Sequence, residues 1–313
     1  MSNQTVAFGV DIGGTSVKMG LFSMEKGLLE KWLIPSRSDG DSAAMLAEIA
    51  DSILGKIAEK GLAPSVIRGV GVGAPGPVDA QGVVHVCVNL GWGRVALKSD
   101  LEALCGLPVH AENDANVAAL GELWQGAAKS CKSMVLLTLG TGVGGAIVLD
   151  GRLMKGAHGC AGEVGHICVC SNETMPCSCG RRGCLEQYAS ASGLVRLAQK
   201  VISSGVETTL TGKELTAEAI FLAAQSGDAA AHMAIDQMAK FLGSALADIA
   251  AVCDPQVIVI GGGVSQAGEP MRAAVERYYR SMAFGDMAST PIKIAALLND
   301  AGIWGAAGLL LNS

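Results

Sequence analysis

Four residues between positions 166 and 184 have the types and spacing of a metal site. Cys177-x-Cys179-x4-Cys184, with His166 upstream, supplies three thiols and one imidazole. As three thiolates and one ring nitrogen they fill a tetrahedron suited to structural Zn2+. Cys168 and Cys170 stand in the same run, and either could replace His166 in an all-thiolate site. A closed tetrahedron leaves no position for an activated water, so the metal is expected to stiffen a loop and do no chemistry. Glu163 and Glu186 flank this knot, one on each side. Solvated surface acids are the plain reading of both. Beside a rigid anchor and among glycines, they are expected instead to be hydrogen-bond acceptors for a polyhydroxylated ligand.

A second chemistry lies in two glycine-rich reversals. Setting "FGVDIGGTSVKMGLF" (residues 8–22) above "VLLTLGTGVGGAIVL" (residues 135–149) puts Asp11 over Thr138 and Gly13 over Gly140. Both stretches read strand, reversal, strand, with β-branched and apolar flanks. Glycine lets backbone N–H groups turn toward an anion with no Cβ in the way. Two such loops facing each other across a cleft are expected to hold the phosphates of a nucleotide. Asp11 is either a turn residue bonding its own backbone or a carboxylate that holds hydrated Mg2+ beside those phosphates. Gly140, Gly142 and Gly145 also satisfy G-x-G-x-x-G. That dinucleotide fingerprint needs a helix directly after the loop. Here "AIVLDGRL" follows, a strand and an Asp-Gly turn, so the match is accidental. No Walker-type P-loop is present.

The elements that must position these groups are legible around them. "LPVHAEND" is a strand reaching a polar tip, and "ANVAALGELWQGA" after it is helical. Asp114 stands at that junction, where an N-cap is expected and where a proton acceptor could equally sit. "VIRGVGVGAPGPVD" gives a short buried strand and a Gly/Pro turn. "AEAIFLAAQSGDAAAHMAIDQMAKFLGSALADIAAVCD" has apolar residues at helical spacing and must be two helices, the second buried despite Asp248. "PQVIVIGGGVS" is a buried strand ending in Gly261, Gly262 and Gly263, and "AGIWGAAGLLL" is a helix able to return to the first half. The expected organisation is an α/β domain over residues 1–117, a second over 118–300 with a zinc loop at 162–187, and a terminal helix at about 301–313 rejoining the first.

The totals bound the function. At 313 residues the chain suits two ordinary domains. Its net charge of −6 disfavours nucleic acid, because a protein that grips a polyphosphate backbone needs a basic face. No apolar run reaches membrane-spanning length and the first residues lack a basic signal region. Ten cysteines in such a chain point to metal and free thiols before disulfides. A soluble cytoplasmic protein with no membrane partner is expected.

Taken together, "DIGGT", "GAPGPVD", "ENDAN", "LGTGVGGA", "GEVGH" and "CSCGRRGCLE" resemble, in order and over nearly the whole chain, the ROK family of bacterial sugar kinases and repressors. "GVVHVCVNLGW" and "GELWQGA" are most similar to its glucose-phosphorylating branch. The resemblance implies an actin-like ATPase fold of two ribonuclease-H-like α/β domains around a central cleft, commonly in a homodimer. It implies transfer of the ATP γ-phosphoryl group to the 6-hydroxyl of glucose, with Asp114 as general base. Asn89, Asn113, Glu163, His166 and Glu186 would hold sugar hydroxyls, His166 also binding zinc with Cys177, Cys179 and Cys184. ATP with Mg2+ would lie on Asp11, Gly13, Gly14, Thr15 and Lys18 in one loop and Thr141, Gly142 and Gly144 in the other, with Gly261, Gly262 and Gly263 near the adenosine. Kinases of the same family for N-acetylmannosamine, N-acetylglucosamine, allose or fructose are the alternative. A sugar-sensing repressor, which would carry a winged helix-turn-helix module before the kinase-like part, is not expected, since only ten residues precede Asp11 and the net charge is negative. The surplus thiols Cys160, Cys168 and Cys170 depart from the family pattern.

Overall fold

The computed structural model describes residues 5–37, 39–87 and 90–311. The chain divides into two compact units: Met1–Ser130 with Lys155–Ala161 and Leu297–Ser313, and Cys131–Met154 with Gly162–Ala296. The division lies at Ser130 and not at the expected 117. The reason is that the helix starting at Asp114 packs along its length within the first unit.

That unit is built on strands β1 (Val6–Ile12), β2 (Ser16–Ser23) and β3 (Gly27–Pro35), helix α1 (Ser42–Lys60), β4 (Ile67–Ala74), α2 (Leu97–Cys105), β5 (Val109–Asn113) and α3 (Asp114–Gln125). Its sheet order is β3-β2-β1-β4-β5, antiparallel across β1–β2–β3 and parallel across β1–β4–β5. Strand periodicity sorts the two faces. Phe8, Val10 and Ile12 join Val70 and Val72 against Met45, Leu46, Ile49, Ile53, Leu97 and Leu101 of α1 and α2.

The second unit repeats the plan with β6 (Met134–Leu139), β7 (Val143–Leu149) and β8 (Arg152–Leu153). Helices α4 (Glu186–Ala189), α5 (Ala191–Ser203), α6 (Ala217–Gln225) and α7 (Ala229–Cys253) follow. Then come β9 (Val257–Gly261), α8 (Glu269–Met282) and β10 (Ile292–Ile294). Its order, β10-β9-β6-β7-β8, is the first sheet's order with the same strand directions. The rhyme between residues 8–22 and 135–149 is therefore a repeat of fold, with Asp11 and Thr138 each one residue before the end of the first strand. The expected pair of helices is α6 and α7, and Asp248 is the exposed residue in the buried run Ala245–Ala250.

The last helix, α9 (Ala301–Gly308), belongs to the first unit and covers the sheet face opposite α1. The alternation Gly69-Val70-Gly71-Val72-Gly73 explains how. The valines fill the α1–α2 core, and the glycines leave a bare face on which backbone can lie. A Cβ on Gly71 would overlap the Ala306 carbonyl oxygen, and one on Gly305 would overlap that of Val117. Trp304 then seals the edge, its ring 5.0 Å from Phe22 and 5.4 Å from Trp124. Among the described residues, no helix is long and apolar enough to cross a membrane.

Candidate functional site

In the first unit the β1–β2 hairpin is closed by Gly13 N–H donating to Ser16 O (3.1 Å). Ser36, at the end of β3, props the turn by donating its hydroxyl to Gly13 O (2.6 Å) and its N–H to Thr15 O (3.2 Å). Gly14 and Thr15 stay exposed at the tip. Asp11 lies on the α9 face of β1, its carboxylate in the space that a Cβ on Gly302 would take at the start of α9. Burial pushes its pKa above the ordinary carboxylate range, and Lys18, 3.3 Å from Oδ2, pulls it part of the way back. A desolvated carboxylate with one cation beside it suits a hydrated Mg2+, which takes one or two carboxylates and keeps its other waters. Nothing in the sequence pointed to Ser36 or Gly302, which act only through the fold.

The β5–α3 junction shows which residue caps the helix. The N-cap is Asn113, whose Oδ1 accepts from Ala115 N (2.9 Å) and Asn116 N (3.2 Å), while its Nδ2 donates to Gly76 O (3.1 Å). Asp114 is the first residue of the helix, half-buried, its Oδ1 within 2.8 Å of Ala115 N. Asn89 lies outside the described residues.

In the second unit the β6–β7 turn is closed by Gly140 N–H to Gly142 O (2.9 Å). The start of α5 braces it through Ala191 N to Gly140 O (2.8 Å) and Ser192 Oγ to Thr141 O (3.0 Å). Gly144 lies within β7 opposite Thr138, so a strand and not a helix follows the loop. Glu186 fills the space over this turn: its Oε2 accepts the Val143 N–H (3.1 Å) and stands where a Cβ of Gly142 would be. Its Oε1 accepts from Ser178 Oγ (2.9 Å). Glu186 thus joins the glycine loop to the cysteine knot.

The knot itself gathers His166, Cys177, Cys179 and Cys184, with one donor atom from each, all within 4.8 Å of one another. A Zn–S bond of about 2.3 Å implies S···S edges of about 3.8 Å in a tetrahedron. Cys179 Sγ and Cys184 Sγ are 3.7 Å apart, and Cys177 Sγ is 3.9 Å from His166 Nδ1. The donor set and its spacing fit Zn2+. Burial and the two neighbouring thiols push Cys184 up to about 12, so a thiolate there requires a cation beside it. Cys168 is exposed and Cys170 donates to Asn172 Oδ1 (3.0 Å), and neither belongs to this cluster. Glu163 is exposed, and with His166, Ile167, Cys179 and Arg181 it lines a cavity of about 500 Å³. Arg181 was not singled out in the sequence, although "CGRRGC" placed it inside the knot.

Gly261 ends β9, and Gly262, at φ 83°, turns the chain into the 3-10 segment Gly263–Ala267. Gly263 lines a groove of about 370 Å³ of mixed character, with Phe221, Leu222 and Val264 beside Glu218, Gln225 and Gln266. The α6 side of this groove carried no motif and could not be read from the sequence.

A family model described as "ROK family" matches residues 7–313. A glucokinase of Halalkalibacterium halodurans is 40% identical over 309 residues, which span 96% of this chain and 94% of that one. Among solved structures, a ROK hexokinase from Thermus thermophilus superposes with a TM-score of 0.82 at 34% identity, covering 97% of both chains. A ROK family glucokinase from Streptomyces griseus, solved in complex with glucose and AMPPNP, gives 0.77 at 33% identity over 98% of this chain and 100% of that one.

Proposed function

This chain belongs to the ROK family and has the actin-like ATPase fold, and we propose that it is a glucokinase working in the cytoplasm as a homodimer. The reaction moves the γ-phosphoryl group of ATP to the 6-hydroxyl of glucose. The O6–P bond forms as the bond from the γ-phosphorus to its bridging oxygen breaks, and the O6 proton passes to the Asp114 carboxylate. Phosphoryl transfer needs in-line placement, charge neutralisation and one acceptor for the hydroxyl proton. Asp114 supplies the last. The observation that carries this role is that Asn113, and not Asp114, caps α3.

Asn113 retains one Nδ2 hydrogen beyond its bond to Gly76 O, and with Asn89, Glu163, His166 and Glu186 it orients the sugar hydroxyls. Gly14 and Thr15, backed by Lys18 and set by the Gly13 turn, and Thr141 and Gly142, set by the strand that carries Gly144, turn their backbone toward the phosphates, with adenosine along Gly261, Gly262 and Gly263. Asp11 would hold hydrated Mg2+ that comes with ATP, and the ion would supply positive charge beside the phosphates. His166, Cys177, Cys179 and Cys184 would hold Zn2+, which would supply rigidity alone, since four protein ligands would leave it no open position.

Two experiments test the reading. Asp114→Asn is expected to keep the fold and glucose binding while kcat falls by about 10²–10⁴; wild-type turnover would remove Asp114 from the role. A panel of glucose, N-acetylmannosamine, N-acetylglucosamine, allose and fructose with ATP and Mg2+ should give glucose the highest kcat/KM. Another sugar in first place would replace it.

A further inference from the structure

Behind Asp114 lies a charge that neither the base nor the sugar contacts require. Glu112, the penultimate residue of β5, is 1% exposed. Its Oε1 accepts the Asn113 N–H (3.0 Å) and the Asn116 Nδ2–H (3.0 Å), so it holds the first turn of α3 together with the Asn113 cap. A neutral glutamine could accept both bonds through its carbonyl oxygen. The carboxylate brings in addition a buried negative charge, which persists only beside a counter-charge. Lys155 provides it, with Nζ 2.5 Å from Glu112 Oε2. The N–H directions do not align as a hydrogen bond there. The contact is an ion pair, for which distance matters more than angle.

Lys155 opens the strap Lys155–Ala161, which packs with the first unit although the chain on either side of it belongs to the second. The strap is closed on itself by Ala161 N–H to Lys155 O (3.2 Å), and its next residues are Gly162 and Glu163. One ion pair, buried at Glu112 and open to solvent at Lys155, therefore ties the strap to the strand that ends in Asn113.

We propose that Glu112 is a positioning residue for Asp114, and that Lys155 is the counter-charge through which the strap and the catalytic turn are held in one arrangement. This role rests on Asp114 being the base. It touches neither ATP loop, so its signature is a loss in kcat with the KM for ATP unchanged.

The test is a charge cycle read by steady-state kinetics, with thermal unfolding in parallel. Lys155→Met leaves the Glu112 carboxylate buried and unpaired, and kcat is expected to fall about tenfold. Adding Glu112→Gln removes the stranded charge and keeps the acceptor, so the double variant should recover to within about threefold of wild type. Lys155→Arg keeps the charge and restores most of the rate. A double variant no faster than Lys155→Met overturns the proposal. So does a fall in melting temperature with unchanged kcat, because the pair would then be structural only. Wild-type turnover in Asp114→Asn would instead sink the base assignment and this role together, whereas failure of the charge cycle alone removes only Glu112.

Discussion

The two glycine hairpins occupy the same place in two sheets of the same order, yet each obtains its carboxylate differently. In the first, Asp11 is part of the strand itself and is steadied by Lys18, one strand across. In the second, the equivalent position is Thr138, and the acid over the turn is Glu186, brought in by the segment that holds the four metal-type ligands. A repeated scaffold thus fixes where backbone N–H groups point, and the chemistry is added separately to each copy. The first hairpin carries its acid in its own strand and is propped by Ser36, while the second takes its acid from a knot folded elsewhere in its unit.

The largest expected effect comes from breaking that dependence. Structural zinc supplies about 10–16 kcal/mol in small peptides, and less where a core already exists. A chelator strong enough to strip zinc should abolish phosphorylation of glucose. Arg181 and Arg182 are exposed within the knot, so trypsin should then cut there, while the hydrogen exchange of β1 and β2 stays as it was. Restoring zinc should restore both activity and protection. Exchange that rises equally in both hairpins would mean that they do not differ in this way.

The comparison also shows what a sequence can disclose. The hairpins, the β5–α3 junction and the four-ligand cluster were legible because each is signalled by local pattern: alternation, glycine pairs, thiol spacing. The alternation Val70-Gly71-Val72 read only as a buried strand. Its meaning lies in α9, whose Ala306 backbone needs the bare glycine face, and nothing near residue 71 announces a partner so distant in the chain. The same holds for Glu186, whose pairing with the Val143 N–H is visible only once α4 is placed, and for Lys155, which carries no motif. The cap at α3 went to Asn113 where Asp114 was expected, because capping depends on the φ/ψ of one residue and both side chains are competent. Contacts made within a few residues are written in the sequence, and those made between distant elements are not.

A smaller effect sharpens the contrast at single-atom scale. Gly14 and Gly142 each stand within their turns, but a Cβ on Gly14 meets nothing within 4 Å whereas one on Gly142 overlaps Glu186 Oε2. Gly142→Ala should cost about 1–3 kcal/mol of stability and raise the KM for ATP several-fold as the Val143 bond to Glu186 is lost. Gly14→Ala should leave the melting temperature of the ligand-free protein unchanged. Equal melting temperatures for the two variants would show that Glu186 does not brace the second turn.

The smallest effect separates the units by acid. Helix α1 of the first unit is capped by exposed Asp41 through one bond, from Ala44 N (2.9 Å). Helix α7 of the second is capped by buried Asp228, which accepts from Ala231 N (2.9 Å), Thr209 N (2.6 Å) and the hydroxyls of Thr208 and Thr209 (2.9 Å each). Burial opposes ionisation, but these donors outweigh it and hold the Asp228 carboxyl down to about 2, against an ordinary value of 3.8. A folded-state pKa below the unfolded one means that the native state binds fewer protons. The stabilisation is therefore complete above about pH 4 and is lost as the pH falls toward 2. In urea melts, wild type should lose up to about 1 kcal/mol at pH 3 relative to pH 7 through this group, and Asp228→Asn, with no proton to gain, should lose that much less. The same pH slope in both proteins would place the acid sensitivity elsewhere, and the two units would then share the weakness that this cap assigns to one.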